Sequence, residues 1–285
     1  MTLPSPTLIG QSVLSGVFIG ALYGLLGLGL SLSWGMLRQI NLAHFALAFL
    51  GAYLTYQLVE VYGLDPLLSL VLIVPVFFLF GALIQALLAR FSISPFSSLL
   101  VTFGLTVIIE SAIQWYWTAD YRRLESAYSG IRFKLGPLFV PFPELLTVVF
   151  AVALATLAWM ALRYTDLGKA MRAANEDAPI AAAFGVNERA LALLLSGVCA
   201  AFAGVAGLCL ALSYTLAPSQ IYAWIGVVFA AVMIGGLGNP LGTLIAGIVI
   251  GVSEALTMAL TAPAWAPLVS FSLLIIVLLV RARDL

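Results

Sequence analysis

The sequence predicts an all-α polytopic membrane protein with about eight or nine transmembrane helices. Three observations carry this. Of the 285 residues, 63% are hydrophobic. Only 8% are charged, against about 25% in a soluble domain. The apolar residues also gather in runs long enough to cross a bilayer, which takes roughly 20 helical residues. The 25 glycines and 13 prolines suit such helices, because glycine permits close packing and proline is tolerated there.

The apolar segments run over residues 9–34, 42–62, 67–89, 96–117, 144–162, 190–213, 222–237, 241–261 and 267–280. The first is long and rich in glycine. The two around residues 235–242 are short and interrupted by glycine and proline. The whole chain, 1–285, reads as one transmembrane domain. Its N-terminus lacks a basic stretch and a small-residue cleavage site, so no cleaved signal peptide is expected.

Lys and Arg set the orientation. Arg38, Arg90, Arg163, Lys169, Arg172, Arg189, Arg281 and Arg283 fall on one alternating side, which is the cytoplasm. The C-terminus is therefore expected inside. The other side carries Arg122, Arg123, Arg132 and Lys134, mixed with Asp120 and Glu125, in one loop over 118–143. That loop is expected in the periplasm. Trp115, Tyr116, Trp117 and Tyr121 form an aromatic belt at its start.

The longest polar run on the cytoplasmic side spans 163–189. A short helix sits inside it, with its own punctuation. Asp177 can cap its start, and Pro179 suits a first turn, where the missing N–H costs nothing. Gly185 can end it in the left-handed conformation. Asn187 can then cap the helix that returns to the membrane. A capped helix between two spans is placed to be touched from outside the bilayer. An ordinary connecting loop would have the same position.

Two stretches break the apolar pattern. Residues 35–45 read G-M-L-R-Q-I-N-L-A-H-F and place Arg38, Asn41 and the only histidine, His44, between hydrophobic runs. Residues 235–242 read G-G-L-G-N-P-L-G, which cannot form a straight helix cheaply. Such a pair in matching halves points to two interrupted helices in an inverted repeat around a pathway. Surface turns between neighbouring helices would give the same pattern. Glu110 and Glu254 lie well inside apolar spans. Each costs roughly 2.5–3.5 kcal/mol if charged against lipid, so each is expected to face the bundle interior, paired or neutral. Asn41, His44, Glu110, Asn239 and Glu254 are thus the candidate pathway residues. A structural hydrogen bond is the plain alternative for each.

Several classes are disfavoured. No phosphate-binding loop, H-E-x-x-H or nucleophile elbow occurs. No catalytic residue, metal site or bound cofactor is expected. Net charge is zero, which gives nucleic acid no purchase. Cys199 and Cys209 share one span, about 15 Å apart along a helix, too far to bridge.

Three stretches resemble the smaller permease subunit of bacterial branched-chain amino acid ABC transporters. They are I-N-L-A-H at 40–44 with G-A-Y at 51–53, the loop L-G-K-A-M-R-A-A-N-E-D-A-P-I-A-A-A-F-G-V-N at 167–187, and G-G-L-G-N-P-L-G-T-L-I-A-G-I-V-I-G-V-S-E-A-L at 235–256. Order and spacing match over nearly the whole chain. Phe45 departs from the family, which usually has glycine there, and the loop around 93–95 is shorter than usual. The resemblance implies a bacterial inner-membrane permease in an ATP-driven importer for branched-chain or related amino acids. It implies a second, different permease subunit in a heterodimer, two ATPase subunits that bind the ATP, and a periplasmic substrate-binding protein. It assigns ATPase coupling to Gly168, Arg172, Glu176, Asp177, Pro179, Ala182, Phe184 and Gly185. Two alternatives stand beside it. One is a permease of the same superfamily for urea, amides, sugars or other small polar solutes. The other is a stand-alone secondary transporter that couples ions through Glu110, Glu254 or His44.

Overall fold

In the computed structural model, which describes residues 5–91, 95–261 and 263–281, every apolar segment expected from the sequence is a helix. The departure at 93–94 and Arg283 lie outside the described residues. The apolar helices are α1 (Pro6–Leu37), α2 (Ala43–Tyr56), α3 (Pro66–Arg90), α4 (Pro95–Trp117) and α5 (Phe142–Tyr164). After two short helices come α8 (Glu188–Ser213), α9 (Ile221–Gly235), α10 (Pro240–Leu260) and α11 (Ala266–Arg281). Seven described helices are long and apolar enough to cross a membrane. Of the other two, α2 has 14 residues and passes into a π turn over Gln57–Val61. The chain is a multi-pass membrane protein.

Helices α1 and α8 form the centre, and α3, α4 and α5 leave most of their surface outside the fold. Glycine explains why α1 is central. Gly16, Gly20 and Gly24 recur every fourth residue, and so do Gly247 and Gly251 on α10. A Cβ on Gly20 would lie 2.5 Å from the Ile248 Cα, and one on Gly251 would lie 2.4 Å from the Gly16 carbonyl oxygen. The two backbones therefore touch directly, as small-residue repeats allow in lipid, where association rests on van der Waals contact. Gly207 of α8 sits in the same way against the Ala48 carbonyl and Ala52 amide of α2.

The 118–143 loop is more ordered than its mixed charge suggested. It holds an antiparallel hairpin, β1 (Arg132–Leu135) with β2 (Leu138–Pro141). Gln11 of α1 pins it, giving its side-chain N–H to the Phe139 carbonyl and taking the Phe139 N–H, both at 3.0 Å. The Tyr128 hydroxyl donates to Asp65 at 2.7 Å. Arg122 and Leu216 exchange backbone hydrogen bonds. This is the hairpin end of the bundle.

The 163–189 run, at the opposite end, holds two helices where one was expected. The additional helix is α6 (Asp166–Glu176), and the expected one is α7 (Ala178–Ala183). The Thr165 hydroxyl caps α6 by accepting from the Gly168 N–H at 3.1 Å. Lys169 pairs with Asp166 at 2.8 Å and holds its carboxyl below the usual range. Both cysteines are buried and free.

Candidate functional site

The two breaks meet. The second, between α9 and α10, is a tight turn with Gly236 at φ +93° and Gly238 at φ +74°, both in the left-handed region. Asn239 caps α10, accepting from the Gly242 N–H at 3.1 Å. The Gly238 N–H donates to the Ser31 carbonyl on α1 at 3.0 Å. A Cβ on Gly35 would lie 2.4 Å from the Gly238 Cα. The turn is therefore seated on the last turns of α1, and only glycine fits at that crossing.

The first break is deeper. Helix α1 ends at Leu37, and Arg38 turns left-handed at φ +54°. The chain then runs unwound until α2 begins at Ala43. His44 already lies beside Leu26 and Gly29 of α1, two turns or more before that helix ends. Residues 38–42 thus fold back into the bundle. Unwound backbone there needs internal partners, and one hydroxyl supplies an acceptor, its single proton shared between the Ile40 carbonyl and the Leu99 carbonyl at 3.2 Å. Thr102 of α4, wholly buried, accepts from the Leu42 N–H at 3.1 Å and lies 3.3 Å from the Ile40 carbonyl. Sequence reading did not single out Thr102. The available signal was its i, i+4 spacing with Ser98 and Thr106, a hydroxyl stripe on a membrane helix.

The five candidate pathway residues are not brought to one point. His44 is buried, and its Nε2 donates to the Leu26 carbonyl at 2.9 Å. Glu254 is also buried, accepting from the hydroxyls of Tyr23, at 2.8 Å, and of Ser270. It thus ties α10 to α1 and α11, as expected for a carboxyl facing the interior. Glu110 is also paired, but less enclosed. It is half-buried, on the flank of the α4 face that buries Thr102, Thr106 and Ile113, four residues after Thr106 and three before Ile113. Its carboxyl accepts from Tyr222 of α9 at 2.6 Å and from Gln114 at 3.2 Å. Asn41 is half-buried, and its side-chain carbonyl is buried without a partner. Asn239 caps the second break.

Phe45, the departure from the family pattern, is 1% exposed. It stacks on Phe229 with centroids 6.3 Å apart, and Trp34 lies 5.7 Å from the same ring. Three aromatic rings therefore fill the space beside the unwound segment.

In the loop, local structure follows the sequence closely. Asp177 caps α7, accepting from the Ile180 N–H at 3.0 Å. Pro179 lies in the first turn. Gly185 closes the helix at φ +87°, where its N–H donates to the Ala182 carbonyl at 2.9 Å. Asn187 caps α8, accepting from the Ala190 N–H at 3.1 Å. Gly168 is needed for contact: a Cβ there would lie 2.3 Å from the Leu162 carbonyl oxygen. Arg172 donates to that same carbonyl. Glu176 is exposed at the end of α6. Helix α7 buries only Ala181. It turns Ala182 outward, and Phe184, just past its end, is 86% exposed. A cleft of about 740 Å³ opens between this loop, the end of α1 and the start of α8.

Comparison with known proteins agrees with the motifs. Residues 12–278 match the model of the family described as branched-chain amino acid transport system, permease component. The permease LivH of the high-affinity branched-chain amino acid transport system of Salmonella typhimurium is 28% identical, over 95% of this chain and 92% of that protein. The corresponding permease BraD of Pseudomonas aeruginosa is 25% identical, over 95% and 93%. The fructose import permease FrcC of Rhizobium meliloti is 28% identical, over 83% and 68%. No solved structure matches the chain.

Proposed function

The chain belongs to the family of branched-chain amino acid transport permeases, and from that premise we propose that it is one membrane subunit of an ATP-driven importer for branched-chain or related amino acids. Its partners are a second permease subunit in a heterodimer, two ATPase subunits that bind the ATP, and a periplasmic binding protein. The chain forms one permease domain in the bacterial inner membrane. The 163–189 loop and the C-terminus lie in the cytoplasm, and the hairpin end lies in the periplasm.

One observation supports the coupling role most directly. Phe184 is 86% exposed at the end of a helix held by caps on both sides. An apolar knob on a rigid mount, outside the bilayer, suits a groove on a partner. Ala182 beside it leaves room for close approach. Gly168, Arg172, Glu176, Asp177, Pro179 and Gly185 hold or flank that mount. Asn41 and Glu110 are assigned to the pathway, because both are polar, half-buried and set among apolar helices. His44, Glu254 and Asn239 support it as fixed posts between helices.

The test is co-expression with the neighbouring ATPase, permease and binding-protein genes, followed by reconstitution. ATP-dependent uptake of leucine is expected, and none from this chain alone. Uptake by the isolated chain would overturn the reading in favour of a secondary transporter. Uptake of fructose or urea in place of leucine would move the substrate class, as the likeness to FrcC allows. Gly185→Val and Ala182→Glu are expected to abolish co-purification of the ATPase subunits or substrate-stimulated hydrolysis while leaving membrane insertion intact.

A further inference from the structure

Arg38 stands in a conformation that side chains with a Cβ rarely adopt. Its φ of +54° lies in the left-handed region, where Cβ crowds the following carbonyl oxygen. Such strain persists only where the surroundings over-determine it, and here they do. The Arg38 Nε donates to the Asn175 side-chain carbonyl at 3.1 Å. Its Nη2 donates to the Asn175 backbone carbonyl at 2.7 Å. The Asn175 side-chain N–H returns to the Gly35 carbonyl at 3.0 Å. Three hydrogen bonds thus close a ring between the last turn of α6 and the last turn of α1.

The ring sits between the 163–189 loop and the two breaks. On one side, Asn175 is two residues from Asp177, which caps α7. On the other, Arg38 opens the unwound segment that ends at Thr102 of α4. Gly35 lies against Gly238 of the second break. This ring gives a displacement of α6 and α7 a directed, hydrogen-bonded route to both breaks, beside the packing of Met171 on Leu32 and Leu195. A planar guanidinium with two directed bonds fixes direction as well as distance, which a lysine ammonium does not.

We propose that Arg38 is the positioning residue that carries displacement of the 163–189 loop to the unwound segment at 38–42. The proposal rests on the reading of that loop as the ATPase-docking site. It deepens that reading by naming the route.

Arg38→Lys, Asn175→Ala and Asn175→Asp test it in the full complex, reconstituted with its ATPase subunits and binding protein. Uptake and ATP hydrolysis are read in the same vesicles. In Arg38→Lys and Asn175→Ala the ATPase subunits are expected to co-purify as in wild type and hydrolysis to continue. Solute moved per ATP is expected to fall by about five- to a hundredfold, the range for coupled sites. Asn175→Asp keeps both acceptors for Arg38, one of them now charged, and turns the return bond into a carboxylate oxygen facing the Gly35 carbonyl, so its ratio is expected to lie between those of wild type and Asn175→Ala. A wild-type ratio in both Arg38→Lys and Asn175→Ala overturns the proposal. So does a parallel fall of uptake and hydrolysis, which marks a merely structural contact. If the wild-type chain binds no ATPase subunits at all, the docking reading fails first, and the route fails with it.

Discussion

Replacing Thr102 by valine removes one oxygen and changes almost no volume. That oxygen takes the Leu42 N–H at 3.1 Å and lies 3.3 Å from the Ile40 carbonyl. Thr102 is 0% exposed, so water cannot replace the hydroxyl. A buried N–H left without a partner costs about 1–3 kcal/mol. That shifts the balance between sutured and released states by about five- to 150-fold. Thr102→Ser keeps the hydroxyl and loses one methyl group, worth about 0.8 kcal/mol. The prediction is an order of effects, with valine well below serine. Hydrogen exchange of the peptide covering residues 38–44, read by mass spectrometry in detergent, measures it. Exchange in Thr102→Val is expected to accelerate by the factor above, and in Thr102→Ser by much less. Wild-type exchange in the valine variant would refute the argument that this hydroxyl holds the unwound backbone.

Three further outcomes are expected. Tyr222→Phe and Glu110→Leu should couple by about 1 kcal/mol in a double-mutant cycle on thermal stability, reduced by the 39% exposure of Tyr222; additive effects would mean that the 2.6 Å bond does not hold α4 to α9. Gly20→Leu should abolish recovery of folded protein, because its Cβ meets backbone at 2.5 Å, whereas Gly104→Leu, with nothing within 4 Å, should be recovered normally; equal yields would contradict the α1–α10 contact. Glu254→Gln should melt above Glu254→Leu, since leucine leaves the Tyr23 and Ser270 hydroxyls unpaired at about 1–3 kcal/mol; identical melting would remove Glu254 from its role as a post.

The sequence by itself determined what depends on neighbours along the chain. Segment lengths and apolar runs placed the membrane helices. The caps at Asp177, Gly185 and Asn187 were legible because each bond closes within a few residues. Helix α6 was missed because it has no long apolar stripe, and its Thr165 cap and Asp166–Lys169 pair are weak local signals. Only the tertiary structure decided how the breaks relate. Gly35 and Gly238 are some two hundred residues apart in sequence, and nothing in either stretch says that they touch. It also separated Glu254 from Glu110. Both are carboxyls in apolar spans, but Glu254 is enclosed by α1 and α11 while Glu110 stays half-buried and meets only Tyr222 of α9 from a distant helix. Hydropathy reports the cost of leaving water. It does not report which neighbour meets that cost, because the partner comes from a distant helix whose position is set by packing of the whole bundle.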